Sequence, residues 1–108
     1  MSRERSFDDV AAYAEAQIQI SREQAAEKLS GGMHAVVTRF IKEYLPEMLE
    51  TAAKEGCGYI RISWPYLTLQ TRNELSLAQL LISKETGIWP TAVANIHDDW
   101  DLDLNLRT

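Results

Sequence analysis

TAVANIHDDWDLDLNLR, residues 91–107, decides the fold. It reads either as a β-hairpin or as the second half of a helix-turn-helix. Leu102, Leu104 and Leu106 alternate with Asp101, Asp103, Asn105 and Arg107. A period of two puts the leucines on one side of a strand but scatters them around a helix. The preceding strand sets Ala92, Ala94 and Ile96 on one side and Val93, Asn95 and His97 on the other. Directly opposed residues share a face, so polarity tests the register. A tight Asp98-Asp99 turn would set Ile96 against Asp101 and Ala94 against Asp103, placing acids on the apolar face. Pairing Ile96 with Leu102, Ala94 with Leu104 and Ala92 with Leu106 removes that conflict. His97 then meets Asp101, Asn95 meets Asp103 and Val93 meets Asn105 on the wet face. This register predicts a loop of roughly three to five residues, or a bulge, around Asp98–Trp100.

The competing reading starts upstream. TRNELSLAQLLISKETG, residues 71–87, carries a capping box of Thr71 with Glu74, the apolar run Leu75, Ala78, Leu81 and Ile82, and a stop at Gly87. The pattern predicts a helix over 73–86. A second helix from Pro90 to 98 would follow, with Ser83 four residues before Gly87 and with Ile82, Ile88, Val93 and Ile96 packing inside. In spacing, that segment resembles a bacterial helix-turn-helix repressor. The resemblance implies a DNA-binding regulator using residues 73–98. Its exposed positions would be Thr91, Ala94, Asn95, His97, Asp98 and Asp99, where DNA requires arginine, lysine or paired amides.

Working outward, GYIRISW (58–64) alternates Tyr59, Arg61 and Ser63 with Ile60, Ile62 and Trp64, a half-buried strand closed by Pro65. The first half of the chain is helical. Ser6 with Asp9 makes a capping-box-like start, and Phe7, Val10, Ala11, Ala14, Ile18, Ala25 and Leu29 form a thin, alanine-rich stripe up to Gly31-Gly32. A helix over 7–30 is about 36 Å long and spans or overhangs a compact domain of this size. Met33, Val36, Val37, Phe40, Ile41, Tyr44, Leu45, Met48, Leu49 and Ala52 make a continuous apolar face for a second helix. Pro46 predicts a kink there, and Gly56 ends the helix. The expected fold is α+β in a single domain, 1–108. An N-terminal two-helix hairpin (1–56) packs on a small β-α-β-β unit (57–108) with a three-stranded sheet, its strands near 58–64, 91–97 and 101–107.

The composition bounds the function. The chain has 108 residues, 45% apolar and 25% charged, the balance of a globular protein. Its net charge of −5 repels phosphate backbones, so nucleic acid is a disfavoured partner. One cysteine, Cys57, allows no internal disulfide, which fits a reducing cytoplasm. MSRERSFDD lacks the apolar core of a leader and no run reaches membrane length, so the expectation is a cytoplasmic protein without membrane contact.

Candidate chemistry is thin. Asp99, Asp101 and Asp103 alternate as in a calcium loop, but Leu104 stands where that loop needs glycine. His97 with Asp101 and Asp103 reads as a solvated face sooner than as a metal site. His34 has no nucleophile near it in sequence, and GCGY precedes a strand where a dinucleotide fingerprint follows one. No cofactor, metal or catalytic set is expected. The remaining signal is aromatic: Trp64 and Trp89 each precede a proline at the sheet rim, and Trp100 sits beside Asp98, Asp99, Asp101 and Asp103. Tryptophan is a favoured anchor at protein contacts. The expectation is a small acidic, non-catalytic interaction or regulatory protein. These seven residues would touch a partner with a basic surface, and the 7–30 helix offers a route to a homo-oligomer. Size and layout are similar to small accessory proteins or inhibitors of phages and mobile elements.

Overall fold

The computed structural model describes residues 7–107. The elements run α1 (Phe7–Glu43), α2 (Leu45–Glu55), β1 (Tyr59–Ile62), α3 (Arg72–Thr86), β2 (Thr91–Ala94) and β3 (Trp100–Asn105). This is the expected α+β layout of a helical hairpin followed by β-α-β-β. The Ser6 cap lies outside the described residues.

α1 is two arms joined by a corner. Gly32 holds φ 75°, ψ −174°, a conformation open essentially to glycine alone. Its neighbour Gly31 answers to contact: a Cβ there would sit 2.6 Å from the Ala35 Cβ. The arms fold back on each other. Glu23 and Arg39, about equally far from the corner, meet through Arg39 Nη2 donating to Glu23 Oε1 at 3.0 Å. Arg39 also pairs with Glu43 one turn on.

The second arm and α2 carry the predicted apolar face. Val36, Val37, Phe40, Leu45 and Ala52 are buried, and Met33, Ile41, Tyr44, Met48 and Leu49 pack around that core. The break falls at Tyr44, and Pro46 occupies the first turn of α2, where its missing N–H is harmless. Helical bonds cross the break, Tyr44 N to Phe40 O at 2.9 Å and Met48 N to Tyr44 O at 3.1 Å. The apolar phase is therefore kept through the kink.

The first arm departs from expectation. Its alanine-rich stripe does not face the body: Val10, Ala14, Ile18 and Ala25 are exposed, and Leu29 is 90% exposed. The packed side is polar. Ser21 accepts a bond from the Trp64 indole at 3.2 Å, Lys28 pairs with Glu74 at 2.7 Å, and Gln24 is buried. Alanine offers one methyl of apolar area, whereas a long side chain covers a neighbour with its stem, and Lys28 keeps its head paired with Glu74. The corner at Gly32 fixes which side of the first arm meets the body, and that side is the polar one. Residues 9, 10 and 12–16 of this arm are all exposed. The molecule measures 47 × 34 × 27 Å with a radius of gyration of 15.0 Å, against about 13 Å for a compact chain of this length.

α3 follows its sequence signals. Thr71 Oγ1 accepts from Glu74 N at 3.2 Å, Glu74 accepts from Gln70 N at 2.9 Å, and Gly87 closes the helix in the left-handed conformation. Leu75, Ala78 and Ile82 face the core.

The sheet is antiparallel in the order β1-β3-β2. β3, the alternating stretch, is its central strand, and Leu102 and Leu104 are fully buried. Ile60 faces Leu104 and Ile62 faces Leu102 on the helix side, while Tyr59, Arg61, Asp101, Asp103 and Asn105 line the open side. Residues 91–94 are strand, so the second helix of the helix-turn-helix reading is replaced by β2.

The hairpin register differs from expectation. Ala92 pairs with Leu102 and Ala94 with Trp100, a slip of four residues from the predicted Ala92–Leu106 pairing. An even slip leaves each residue on its predicted face, which is why polarity alone did not expose it. The loop runs over residues 95–99, within the predicted length but earlier in the chain. Ile96 is the casualty: it sits in the loop, 92% exposed, and not in the core. Among the described residues no helix is long and apolar enough to cross a membrane.

Candidate functional site

One cleft gathers most of the residues that the sequence singled out. Trp64, Leu67, Thr68, Asn95, His97, Asp99, Trp100 and Asp101 enclose a depression of about 360 Å³ at one end of the sheet. Its two sides come from different parts of the chain.

The first side is the exit from β1. The Trp64-Pro65 bond is cis, and Tyr66 N and Leu67 N both donate to Ser63 O, at 2.9 and 3.2 Å. Pro65 is buried and Trp64 is turned outward, 51% exposed. The indole is nevertheless held, since its Nε1–H donates to Ser21 of the first helical arm. A large aromatic that is exposed yet fixed keeps its face available at a low entropic cost on binding.

The second side is the 95–99 loop, organised by Asn95. Its Oδ1 accepts from His97 N at 2.8 Å and from Asp99 N at 3.2 Å, and its Nδ2 donates to Asp101 Oδ1 at 3.0 Å. Asn95 N donates to Asp99 O at 3.0 Å, and Asp98 N to Asn95 O at 3.3 Å. Asp98 takes the left-handed conformation, φ 63°, which aspartate tolerates better than most residues. Its carboxylate is exposed at the loop tip, while Asp99 and Asp101 are half-buried on the cleft wall. Trp100 joins the two sides: its N donates to Leu69 O at 3.0 Å, and its ring packs at the edge of the core.

Trp64, Asp99, Trp100 and Asp101 therefore meet, with Asp98 beside them. Two expected members lie elsewhere. Trp89, 57% exposed, precedes β2 at the far end of the sheet, because β2 starts opposite Asp103 and ends opposite Trp100. Asp103 is on the open face of the sheet, where Arg61 grips it through Nε at 2.6 Å and Nη2 at 2.8 Å. That grip holds the Asp103 carboxyl below the usual carboxylate range and raises the guanidinium in turn. His97, expected on the wet strand face, is a loop residue on the cleft wall.

Sequence reasoning missed Asn95 as the loop's organiser and gave Leu67 and Thr68 no part. The signal for Asn95 was present: an asparagine at the end of a strand can cap a turn by accepting from the backbone N–H two residues on, here His97. Leu67 and Thr68 come from a stretch with no periodicity to read. The cleft is acidic and apolar, with Asp99 and Asp101 against Trp64, Leu67 and Trp100, and among the described residues no lysine or arginine lines it. Among the described residues no group of three or more histidine, cysteine or acidic side chains is placed to hold a metal. The arrangement is suited to binding a cation with apolar character, such as an arginine or lysine side chain, whose charge meets carboxylates and whose stem or plane lies against indole.

No family model matches the chain, and no curated protein or solved structure matches it either.

Proposed function

We propose that this chain is a small acidic, non-catalytic interaction protein that contacts a basic protein surface through the cleft of Trp64, Trp100, Asp99 and Asp101, with Asp98 at its rim. The observation that carries this reading is the convergence of two tryptophans and two half-buried carboxylates on one concave site. Aromatic anchors inside an acidic rim favour arginine-rich or lysine-rich partners and speed their encounter. One concrete form is an inhibitor that occupies the basic groove of a nucleic-acid enzyme, as an accessory protein of a phage or mobile element would. The exposed Val10, Tyr13, Ile18 and Leu29 of the first helical arm add a route to self-association.

Tryptophan fluorescence titrated with an arginine-rich peptide, at low and high salt, tests the cleft. Trp64→Ala and the triple change of Asp98, Asp99 and Asp101 to asparagine should each weaken binding by about tenfold or more, with Trp89→Ala as the control outside the cleft. Equal loss in the Trp89 control, or no loss in the cleft variants, would overturn the reading.

A further inference from the structure

We infer that the outer edge of β1, with the groove between it and α2, binds an extended peptide of the pattern basic-x-apolar-x-basic by adding it to the sheet as a fourth strand. The surface is separate from the tryptophan cleft, so either proposal can fail alone.

The strand order leaves β1 at an edge. Leu106 N donates to Gly58 O at 2.9 Å, which fixes the phase of the β1–β3 ladder. Ile60 and Ile62, two and four residues on, exchange bonds with Leu104 and Leu102. Tyr59 and Arg61 are the alternate pairs, so their N–H and C=O groups point away from β3. No backbone partner meets them among the described residues. An edge of this kind is a template for another extended chain.

Beside the edge lies a groove of about 350 Å³ lined by residues of α2, by Cys57, Ile60 and Arg61 along the edge, and by Tyr66. Its apolar floor is Met48, Ala52 and Ile60, flanked by the rings of Tyr44 and Tyr66, whose centroids are 5.1 Å apart. A peptide residue opposite Ile60 would turn its side chain onto the helix side, into this floor. Its two neighbours would exchange main-chain bonds with Tyr59 and Arg61.

The charges set the rest of the pattern. Glu47 and Glu55 both line the groove, and neither enters an ion pair among the described residues. Eight residues of helix separate them, about 12 Å. Strand positions two before and two after the apolar residue share its face and lie about 14 Å apart. Basic side chains at those positions reach the two glutamates. Arg61 also lines the groove, but its guanidinium is held by the Asp103 carboxylate on the open face, which offsets its charge.

The test uses the whole chain and one defined probe, the acetylated and amidated heptapeptide Thr-Lys-Thr-Leu-Thr-Lys-Thr. Amide hydrogen exchange at Tyr59 and Arg61 is read by NMR with and without about 1 mM peptide. Both amides should slow by about tenfold or more. The same peptide with N-methyl groups on the threonines beside leucine should have no effect. Arg61→Pro should abolish binding while keeping the fold, since within the ladder it removes only the outward N–H of an edge residue; Arg61→Thr, which loses the Asp103 pair equally but keeps that N–H, should bind. Unchanged exchange at saturating probe, or equal protection by the N-methylated peptide, overturns the inference. Protection that rises with protein concentration in the absence of peptide also overturns it, by assigning the edge to a second copy of the chain.

Discussion

Asn95→Ala should loosen the 95–99 loop and lower stability by about 1–3 kcal/mol. The side chain makes three hydrogen bonds, two to the loop amides of His97 and Asp99 and one to the Asp101 carboxylate. A neutral bond contributes about 1 kcal/mol net, and one to a charged group about 1.5–3. Solvent reaches this loop, so water replaces part of what is lost and the total stays well below the sum. A change of about 2 kcal/mol corresponds to about 10 °C in Tm for a chain of this length. Thermal unfolding followed by circular dichroism measures it, and hydrogen exchange at His97 and Asp99 locates it. Asn95→Asp separates the three bonds. It keeps the acceptor for both amides but removes the donor to Asp101 and opposes two carboxylates. It should cost stability at neutral pH, and the deficit should shrink as pH falls through the carboxylate range, where a protonated carboxyl again donates. A Tm for Asn95→Ala within 2 °C or so of the parent, on the same scale, would show that the loop does not depend on this side chain.

Three further outcomes follow from the fold. Gln24 is 8% exposed, and its Oε1 and Nε2 meet no partner among the described residues; Gln24→Leu should therefore raise stability by about 1–3 kcal/mol in urea unfolding, by removing a desolvated amide, and a loss would mean that water satisfies it. Gly32→Ala should destabilise by about 1–3 kcal/mol, because the corner requires a backbone conformation that a Cβ disfavours, and small-angle scattering should show a radius of gyration above 15.0 Å if α1 straightens. The Asp103 carboxyl is held below its ordinary 3.8 by Arg61, so its pairing contributes stability above that pH and loses it as the pH falls through the depressed value. Asp103→Asn should thus be less stable than the parent at neutral pH, with the two stability curves converging below about pH 3.8; parallel curves down to acid pH would show that the pair contributes nothing.

The elements were legible wherever a residue's environment is set by its immediate neighbours. Thr71 with Glu74 and the closing Gly87 marked α3 within a residue, because caps are local chemistry. The leucines of 102–106 marked β3, because a two-residue period has one structural meaning. The Gly31-Gly32 corner and the buried face from Val36 to Ala52 were legible for the same reason. The cleft was legible in part: Trp64 before proline and the acids around Trp100 stood out as residues, but their meeting across the chain did not.

What stayed hidden depended on distance in the chain. Polarity fixed the faces of the hairpin but not its register, since a slip of four residues preserves every face; the bonds of Asn95 chose the register and sent Ile96 to solvent. The alanine-rich stripe of the first arm promised a buried side, but the corner at Gly32 and the positions of Trp64, Glu74 and Arg39 turned the polar side inward. The separation of Trp89 and Asp103 from the other candidates followed from the antiparallel course of β2 along β3. The sequence by itself determined periodicity, capping and the core, which are properties of residues a few positions apart. Only the tertiary structure decided register, the orientation of the first arm and the membership of the cleft, because those are set by contacts between segments that carry no information about each other until they pack.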